Sequence, residues 1–193
     1  MMQIVERKNR NFTIDGISDD KVRSRNFKGL EKKDQISGRT VNSPGRRNFL
    51  LFLTPEIAQE LSDNDVEVKY TKPQNPNDEP SPYVSINVSW YVKPVEVCMI
   101  SNGNPTMLDE NHVGVLDDVD IGNMCMELQY GKEKTHLNGV KYIPLYAQKI
   151  WVEIVPSYIA SKFGTMNVAQ INAPSVPAPI PEPDDEADDA LPF

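Results

Sequence analysis

Residues 83–92 read YVSINVSWYV, and the stretch alternates without a break. Val84, Ile86, Val88, Trp90 and Val92 fall on one side, and Tyr83, Ser85, Asn87, Ser89 and Tyr91 on the other. Strict period two over this length predicts a strand with one buried face. The same signature spreads outward along the chain. RNFLLFL (47–53) and VEVCMI (95–100) are apolar runs of strand length. MCMELQY (124–130) sets Met124, Met126 and Leu128 against Cys125, Glu127 and Gln129. DVEVKYT (65–71) places Val66, Val68 and Tyr70 on one face. In the segment 139–155 the buried phase passes from Ile143, Leu145 and Ala147 to Ile150, Val152 and Ile154. An odd-to-even change needs one extra residue, which predicts a bulge near Gln148-Lys149.

One helix interrupts this pattern. Thr54 suits its cap, Pro55 its first turn and Glu56 its dipole, while Ile57, Ala58 and Leu61 supply the buried stripe. A second short helix is expected around 157–163. Four prolines within 72–82 mark a protruding loop. Residues 1–24 are polar and weakly periodic, an arm or an edge strand. From Gly164 the composition turns to proline and small residues, predicting a disordered Pro-rich linker and acidic tail over 164–193. Residues 1–163 would then hold the single folded domain. About six strands with one or two short helices describe a small Greek-key barrel or a sandwich, and the pattern does not choose between them.

Charge is distributed unevenly over the 193 residues. The total is −8, yet residues 1–50 carry 12 Lys/Arg against 6 Asp/Glu. The last twelve residues, EPDDEADDALPF, hold six carboxylates and no base. A basic front and an acidic tail on one chain compete for the same charged surface. No apolar run reaches the length of a membrane span and no basic-then-apolar leader opens the chain, so the expected location is a cytoplasm, without membrane partners. Cys98 and Cys125 lie in strand-like runs and read as buried reduced thiols.

Enzyme motifs are sparse. The sequence contains no P-loop or dinucleotide glycine motif, and its two histidines, His112 and His136, sit in turn-like surroundings. Asp118 and Asp120 would share a strand face as a two-metal nuclease site requires, but the acidic stretch 108–122 brings no partnering base. The expectation is a non-enzyme with no cofactor and no metal.

Binding chemistry is better represented. Arg-Asn-Phe occurs at 10–12, 25–27 and 47–49, pairing a phosphate-seeking guanidinium with a ring. Arg25, Phe27, Lys28, Arg39, Arg46 and Arg47 form this basic front. Five aromatics fall on the polar sides of strands: Tyr83, Tyr91, Tyr142, Tyr146 and Trp151. With Lys69, Lys141 and Lys149 on nearby polar faces they suggest a platform on which bases stack whatever their identity.

The tail tip, Asp188-Asp189-Ala190-Leu191-Pro192-Phe193, resembles that of bacterial single-stranded DNA-binding proteins, with Ala-Leu where those have Asp-Ile. The folded part resembles instead a family of bacteriophage single-stranded DNA-binding proteins. The matching blocks are RNFKG, GRRNFLLFLTPEIAQEL, VKYTKP, PYVSINVSW, LDENHVGVLDDVDI and YAQKIWVEI, spanning about 25–155. The resemblance implies an OB-fold-like barrel that coats single-stranded DNA in phage replication, recombination or repair, in a host cytoplasm. It also implies a tail in which Asp184, Asp185, Glu186, Asp188 and Asp189 compete with DNA. Leu191, Pro192 and Phe193 would recruit a DNA polymerase or another replication or recombination protein. An OB-fold normally carries its helix between the third and fourth strands, whereas the clearest helix here follows an early strand. Stacking and phosphate pairing serve RNA equally. The long connections at 72–82 and 101–118 suit clamping of DNA or pairing of subunits in a homodimer. The alternative is a non-catalytic β-rich adaptor or virion-associated protein whose aromatics form a protein interface.

Overall fold

The computed structural model describes residues 1–155 except 34–37, 39, 74, 76–78 and 92. The expected helix at 157–163, the linker and the tail lie outside the described residues. In chain order, β1 (Gln3–Lys8) and β2 (Asn11–Ile17) form a hairpin that turns at Asn9, where φ is 55°. A 3-10 turn at Asp19–Lys21 leads into β3 (Val22–Asn26). The short β4 (Lys32–Lys33) and β5 (Thr40–Asn42) pair with each other ahead of β6 (Arg47–Phe52). Helix α1 (Pro55–Asp63) follows, then β7 (Lys69–Tyr70) and β8 (Pro82–Val88). β9 (Glu96–Ser101) and β10 (Asn104–Leu108) form a second hairpin, and a 3-10 turn at Val113–Asp117 precedes β11 (Ile121–Tyr130). The chain continues through β12 (Lys134–Thr135), β13 (Lys141–Tyr142) and β14 (Leu145–Ile154).

The fold is mainly β, with one α-helix among the described residues. The main sheet runs β2-β11-β14-β8-β6-β3, with β1 outside β2. Its two ends, β2 and β3, are successive pieces of one stretch of chain, residues 11–26. Among the described residues no ladder joins them, so the sheet does not close into the expected barrel. The 3-10 turn at Asp19–Lys21 spans the gap and touches β3, β6 and β11. Asp19 accounts for part of that bridge. Its carboxylate pairs with the Arg25 guanidinium and accepts the Ile121 backbone N–H at 3.0 Å.

β14 bends where the pattern predicts. Glu127 faces Lys149 and Leu128 faces Ala147, which leaves Gln148 as the extra residue. Before the bulge β14 runs parallel to β8 through Leu145 and Tyr146. After it, β14 runs parallel to β9 through residues 149–153. A single strand thereby serves two neighbours, because the extra residue turns it from one to the other.

Alternation decides the core. Met124, Met126 and Leu128 are fully buried, as are Ile86, Leu51, Ile14 and Ile150. Phe27 and Phe49 stack within it, ring centroids 5.3 Å apart. Each such side chain contributes about 1.5–3 kcal/mol by leaving water. In α1 the Thr54 hydroxyl accepts from the Ile57 N–H at 3.5 Å, and Ile57, Ala58 and Leu61 face the core. The run 65–71 keeps Val66 and Val68 against the core as expected, but forms only the two-residue strand Lys69–Tyr70. Asp65 takes a φ of 60°, Val66 makes only an isolated parallel bridge to Ile143, and Tyr70 is exposed. A left-handed residue at its start prevents the regular pleat that alternation implied. The N-terminal segment is no free arm: β1 is an edge strand, and β2 buries Phe12, Ile14 and Ile17.

Candidate nucleic-acid interface

The parallel pairing of β14 with β8 sets Tyr146 beside Asn87. Beyond Val88 the chain leaves the sheet through Ser89, Trp90 and Tyr91. From the other side the β12–β13 ladder brings in Lys134, His136 and Tyr142. Three adjoining recesses result. The middle one, about 610 Å³, is lined by Arg46, Arg47, Trp90, Tyr91, Tyr142 and Tyr146. A second, about 380 Å³, adds Lys69, Tyr83 and His136. A third, about 470 Å³, adds Arg10, Lys93, Lys132, Gln129 and Gln148. Lys134 lines all three, so they form one continuous groove.

Rings and cations are coupled along this groove. The Arg47 guanidinium carbon lies 5.4 Å from the Trp90 ring centroid. Its Nε donates to the Phe27 carbonyl at 3.0 Å and its Nη1 to Glu110 Oε1 at 2.8 Å. The Lys134 ammonium donates to the Tyr146 hydroxyl at 3.2 Å and lies 5.8 Å from that ring's centroid. His136 stacks on Tyr142 with centroids 4.2 Å apart, and its Nε2 lies 3.0 Å from Glu67 Oε1. Gly131 permits the tight packing of Tyr146, since a Cβ there would sit 2.8 Å from the tyrosine ring.

Seven cations line the groove (Arg10, Arg46, Arg47, Lys69, Lys93, Lys132 and Lys134) against two carboxylates, Glu67 and Glu110. On a chain of net charge −8 that is a sharp local reversal of sign. Glu110 holds Arg47 and Glu67 holds Lys69 at 3.2 Å. Among the described residues no carboxylate pairs with the other five. A groove with an excess of cations and several partly exposed rings suits a polyanion that also carries flat apolar faces.

Of the residues singled out from the sequence, the structure gathers Arg46, Arg47, Lys69, Tyr83, Tyr91, Tyr142 and Tyr146 along the groove. Tyr83 is partly occupied by Phe52, stacked at 5.5 Å. The others go elsewhere. Phe27 is fully buried and presents no ring to a ligand. Arg25 is largely enclosed, donating to the carbonyls of Leu116 (3.2 Å) and Val119 (2.6 Å) as well as pairing with Asp19. Lys28 pairs with Asp118 at 2.6 Å and Lys141 with Glu133 at 2.8 Å, and those bonds raise both ammonium pKa values. Lys149 pairs with Glu96 at 3.3 Å. Trp151 is exposed away from the groove, in register with Cys125 on one side and Cys98 on the other. Arg39 and the tail residues Asp184 to Phe193 lie outside the described residues.

Arg10, from the first Arg-Asn-Phe, also reaches the groove, whereas sequence reading gave no binding role to Trp90, Lys134, His136, Lys93 and Lys132. Trp90 packs against the core, as its inward place in the alternation predicts, but past the end of β8 at Val88 it also lines the middle recess, which alternation does not announce. The acidic stretch also rearranges. Asp117 accepts the backbone N–H groups of Phe27 (2.8 Å) and Lys28 (2.9 Å), which makes it a structural staple. Asp118 closes the 3-10 turn rather than sharing a strand face with Asp120. No cluster of three candidate metal ligands occurs among the described residues. No helix of the described residues is long and apolar enough to cross a membrane.

Residues 1–190 match the family described as "Putative phage ssDNA-binding domain". No curated protein matches the sequence. Among solved structures, the chain is similar to the single-stranded DNA-binding protein from bacteriophage Enc34 in complex with ssDNA, at 7% identity and a TM-score of 0.46. That match covers 80% of this chain and 96% of the other. A C-terminal truncation of the Enc34 protein gives 8% identity and a TM-score of 0.44, with 80% and 95% covered.

Proposed function

Because the chain belongs to the phage ssDNA-binding family, we propose that it binds single-stranded DNA along the groove centred on Lys134 and coats it without regard to sequence. The observation that carries this reading is the excess of cations over carboxylates in a groove that also holds Trp90, Tyr91, Tyr142 and Tyr146. Phosphates meet the cations, and each base that stacks on a ring contributes about 1–3 kcal/mol whatever its identity. Coating of this kind serves phage replication, recombination and repair in the host cytoplasm, and it asks for no catalytic group.

The tail acts on the same groove. Its six carboxylates compete with phosphate for cations until DNA displaces them. Leu191, Pro192 and Phe193, once released, dock in an apolar pocket rimmed by a base on a polymerase or another replication or recombination protein. The adaptor reading keeps one observation in its favour. Trp151 is exposed on a different part of the sheet, beside Glu153 rather than among free cations, as a protein contact would have it.

The test is a titration of intrinsic Trp and Tyr fluorescence with oligo-dT, using the full-length chain and one ending at Pro181. A duplex and an oligo-rU of equal length serve as controls. Strong quenching on the single strand, weak quenching on duplex and tighter binding without the tail are the expected results. Absence of quenching by any nucleic acid sinks the reading and leaves the adaptor.

A further inference from the structure

Arg47 lines the middle recess, yet little of its guanidinium is left for a ligand. It opens β6, opposite Val88 of β8, where the chain leaves the sheet toward Trp90. Nε donates to the Phe27 carbonyl at 3.0 Å and Nη1 to Glu110 Oε1 at 2.8 Å. Longer bonds of 3.4 Å run from Nη1 to the Gly45 carbonyl and from Nη2 to the Glu110 carbonyl. Together they take up most of the N–H donors of the group. The side chain is only 16% exposed, against 52% for Glu110. Gly29, at a φ of 67°, makes room for its stem, since a Cβ there would lie 3.3 Å from Arg47 Cγ. The neighbouring Arg46 is differently placed: its guanidinium reaches only Asn87 Oδ1, at 3.4 Å, among the described residues.

A cation clamped in this way is a poor phosphate contact, because DNA would first have to break its charge-assisted bond to Glu110. What the clamp does fix is a ring. The guanidinium carbon lies 5.4 Å from the Trp90 centroid, within cation–π reach. Trp90 stands beyond the last ladder pair of β8, so strand pairing does not hold it. It is half-buried, packs against the core and lines the recess. Glu110 lines the same recess, and a carboxylate there repels a polyanion. Its bond to the cation over Trp90 gives that carboxylate a use.

We propose that Arg47 is a positioning residue: clamped by Glu110, it holds the Trp90 ring as a stacking surface for a base and makes no phosphate contact. The phosphates fall to the cations without carboxylate partners. This inference rests on the DNA-binding reading above and gives Arg47 and Glu110 a task in it that their charges alone do not suggest.

The experiment titrates an end-labelled oligo-dT at four salt concentrations, read by fluorescence anisotropy so that the signal needs no tryptophan. Full-length wild type is compared with Arg47→Lys, Glu110→Ala, Trp90→Leu and the double variant Arg47→Lys/Trp90→Leu, and thermal unfolding checks that each is folded. Lysine keeps the charge of Arg47 but loses its planar fork. Arg47→Lys is expected to bind about ten-fold more weakly, within the range of one stacked base, at the wild-type salt slope. Glu110→Ala is expected to bind about five-fold more weakly, although it removes a negative charge from the groove. In the Trp90→Leu background Arg47→Lys should bring no further loss. Wild-type affinity in Arg47→Lys overturns the proposal, and so does an equal loss in both Trp90 backgrounds, which makes Arg47 merely structural. Equal or tighter binding by Glu110→Ala overturns it too, and a slope steeper by about 0.7 would then mark Arg47 as a phosphate contact that Glu110 masks. Should Arg47→Lys fail to fold, the sign of the change in Glu110→Ala decides alone, because that side chain is half exposed. Failure of wild type to bind oligo-dT overturns the DNA-binding reading itself.

Discussion

Lys134 is the residue at which the electrostatics of the groove are most directly tested, because it borders all three recesses. Changing Lys134 to Met removes the charge and keeps most of the stem, so the packing beside Tyr146 survives. Each phosphate neutralised on a single strand contributes about 0.7 to the slope of log affinity against log salt. With Arg10, Arg46, Lys93, Lys132 and Lys134 free of carboxylate partners among the described residues, the wild-type slope should be about −3.5. It would reach about −5 only if DNA also drew Arg47 from Glu110 and Lys69 from Glu67. Between about 50 and about 200 mM salt, wild type should lose about 100-fold in affinity and Lys134→Met about 50-fold. Fluorescence titration with oligo-dT at four salt concentrations measures both slopes. A wild-type slope no steeper than about −1, or a variant slope identical to wild type, would refute the placement of the strand.

The two tryptophans separate the groove from the rest of the surface. Trp90→Phe should remove most of the DNA-induced quenching while Trp151→Phe leaves it intact, and the opposite pattern would move the interface to the β9–β14–β11 face. Asp117→Ala strips the acceptor from the N–H groups of Phe27 and Lys28 and should cost about 2–3 kcal/mol in urea unfolding. Asp117→Asn should cost less, and a loss below about 0.5 kcal/mol for the alanine variant would show that the staple is dispensable. The Cys125 thiol is held above the ordinary cysteine range, first by burial and then by the nearby Asp15 carboxylate. A raised pKa means less thiolate at a given pH, so alkylation at about pH 8 should be slower than for a free cysteine peptide, and faster in Asp15→Asn. Equal rates for protein and peptide would contradict that environment.

The strands were legible wherever one face of a regular pleat meets the core. β8 and β11 show their burial in their letters, and the bulge at Gln148 follows from the odd-to-even shift, because a pleat cannot change phase without an extra residue. The helix was legible from Thr54 and Pro55 for the same local reason. Alternation predicts too long a strand at 65–71, where a left-handed residue breaks the pleat, a choice that Asp65 permits but does not announce. It is silent on the groove beyond Val88, where the ladder stops, and Trp90, two residues on, both packs against the core and lines the groove. Closure was not legible either. Whether the ends of a sheet pair depends on how residues 18–21 bridge β2 and β3, and no periodicity records that.

Half of the candidate groove was hidden for a further reason. Phe27 looked like a stacking ring because of its basic neighbours, but neighbours in sequence set the local charge and leave the direction of a side chain open. Its partner Phe49 lies in the core, and so Phe27 does too. His136 reads from the sequence as a turn residue, and Lys134 lies two residues before it in the short β12. They matter because the two-residue β12–β13 ladder folds that turn back over the start of β14, beside the exit of β8. The decisive quantity for a cation near DNA is whether a carboxylate already holds it. Lys28, Lys141 and Lys149 are held by Asp118, Glu133 and Glu96, all remote from them in sequence except Glu133, whereas Lys134 is left to a tyrosine. Pairing of that kind is decided in three dimensions. A groove of unpaired cations on an acidic protein therefore emerges only once the sheet has assigned each carboxylate to its base.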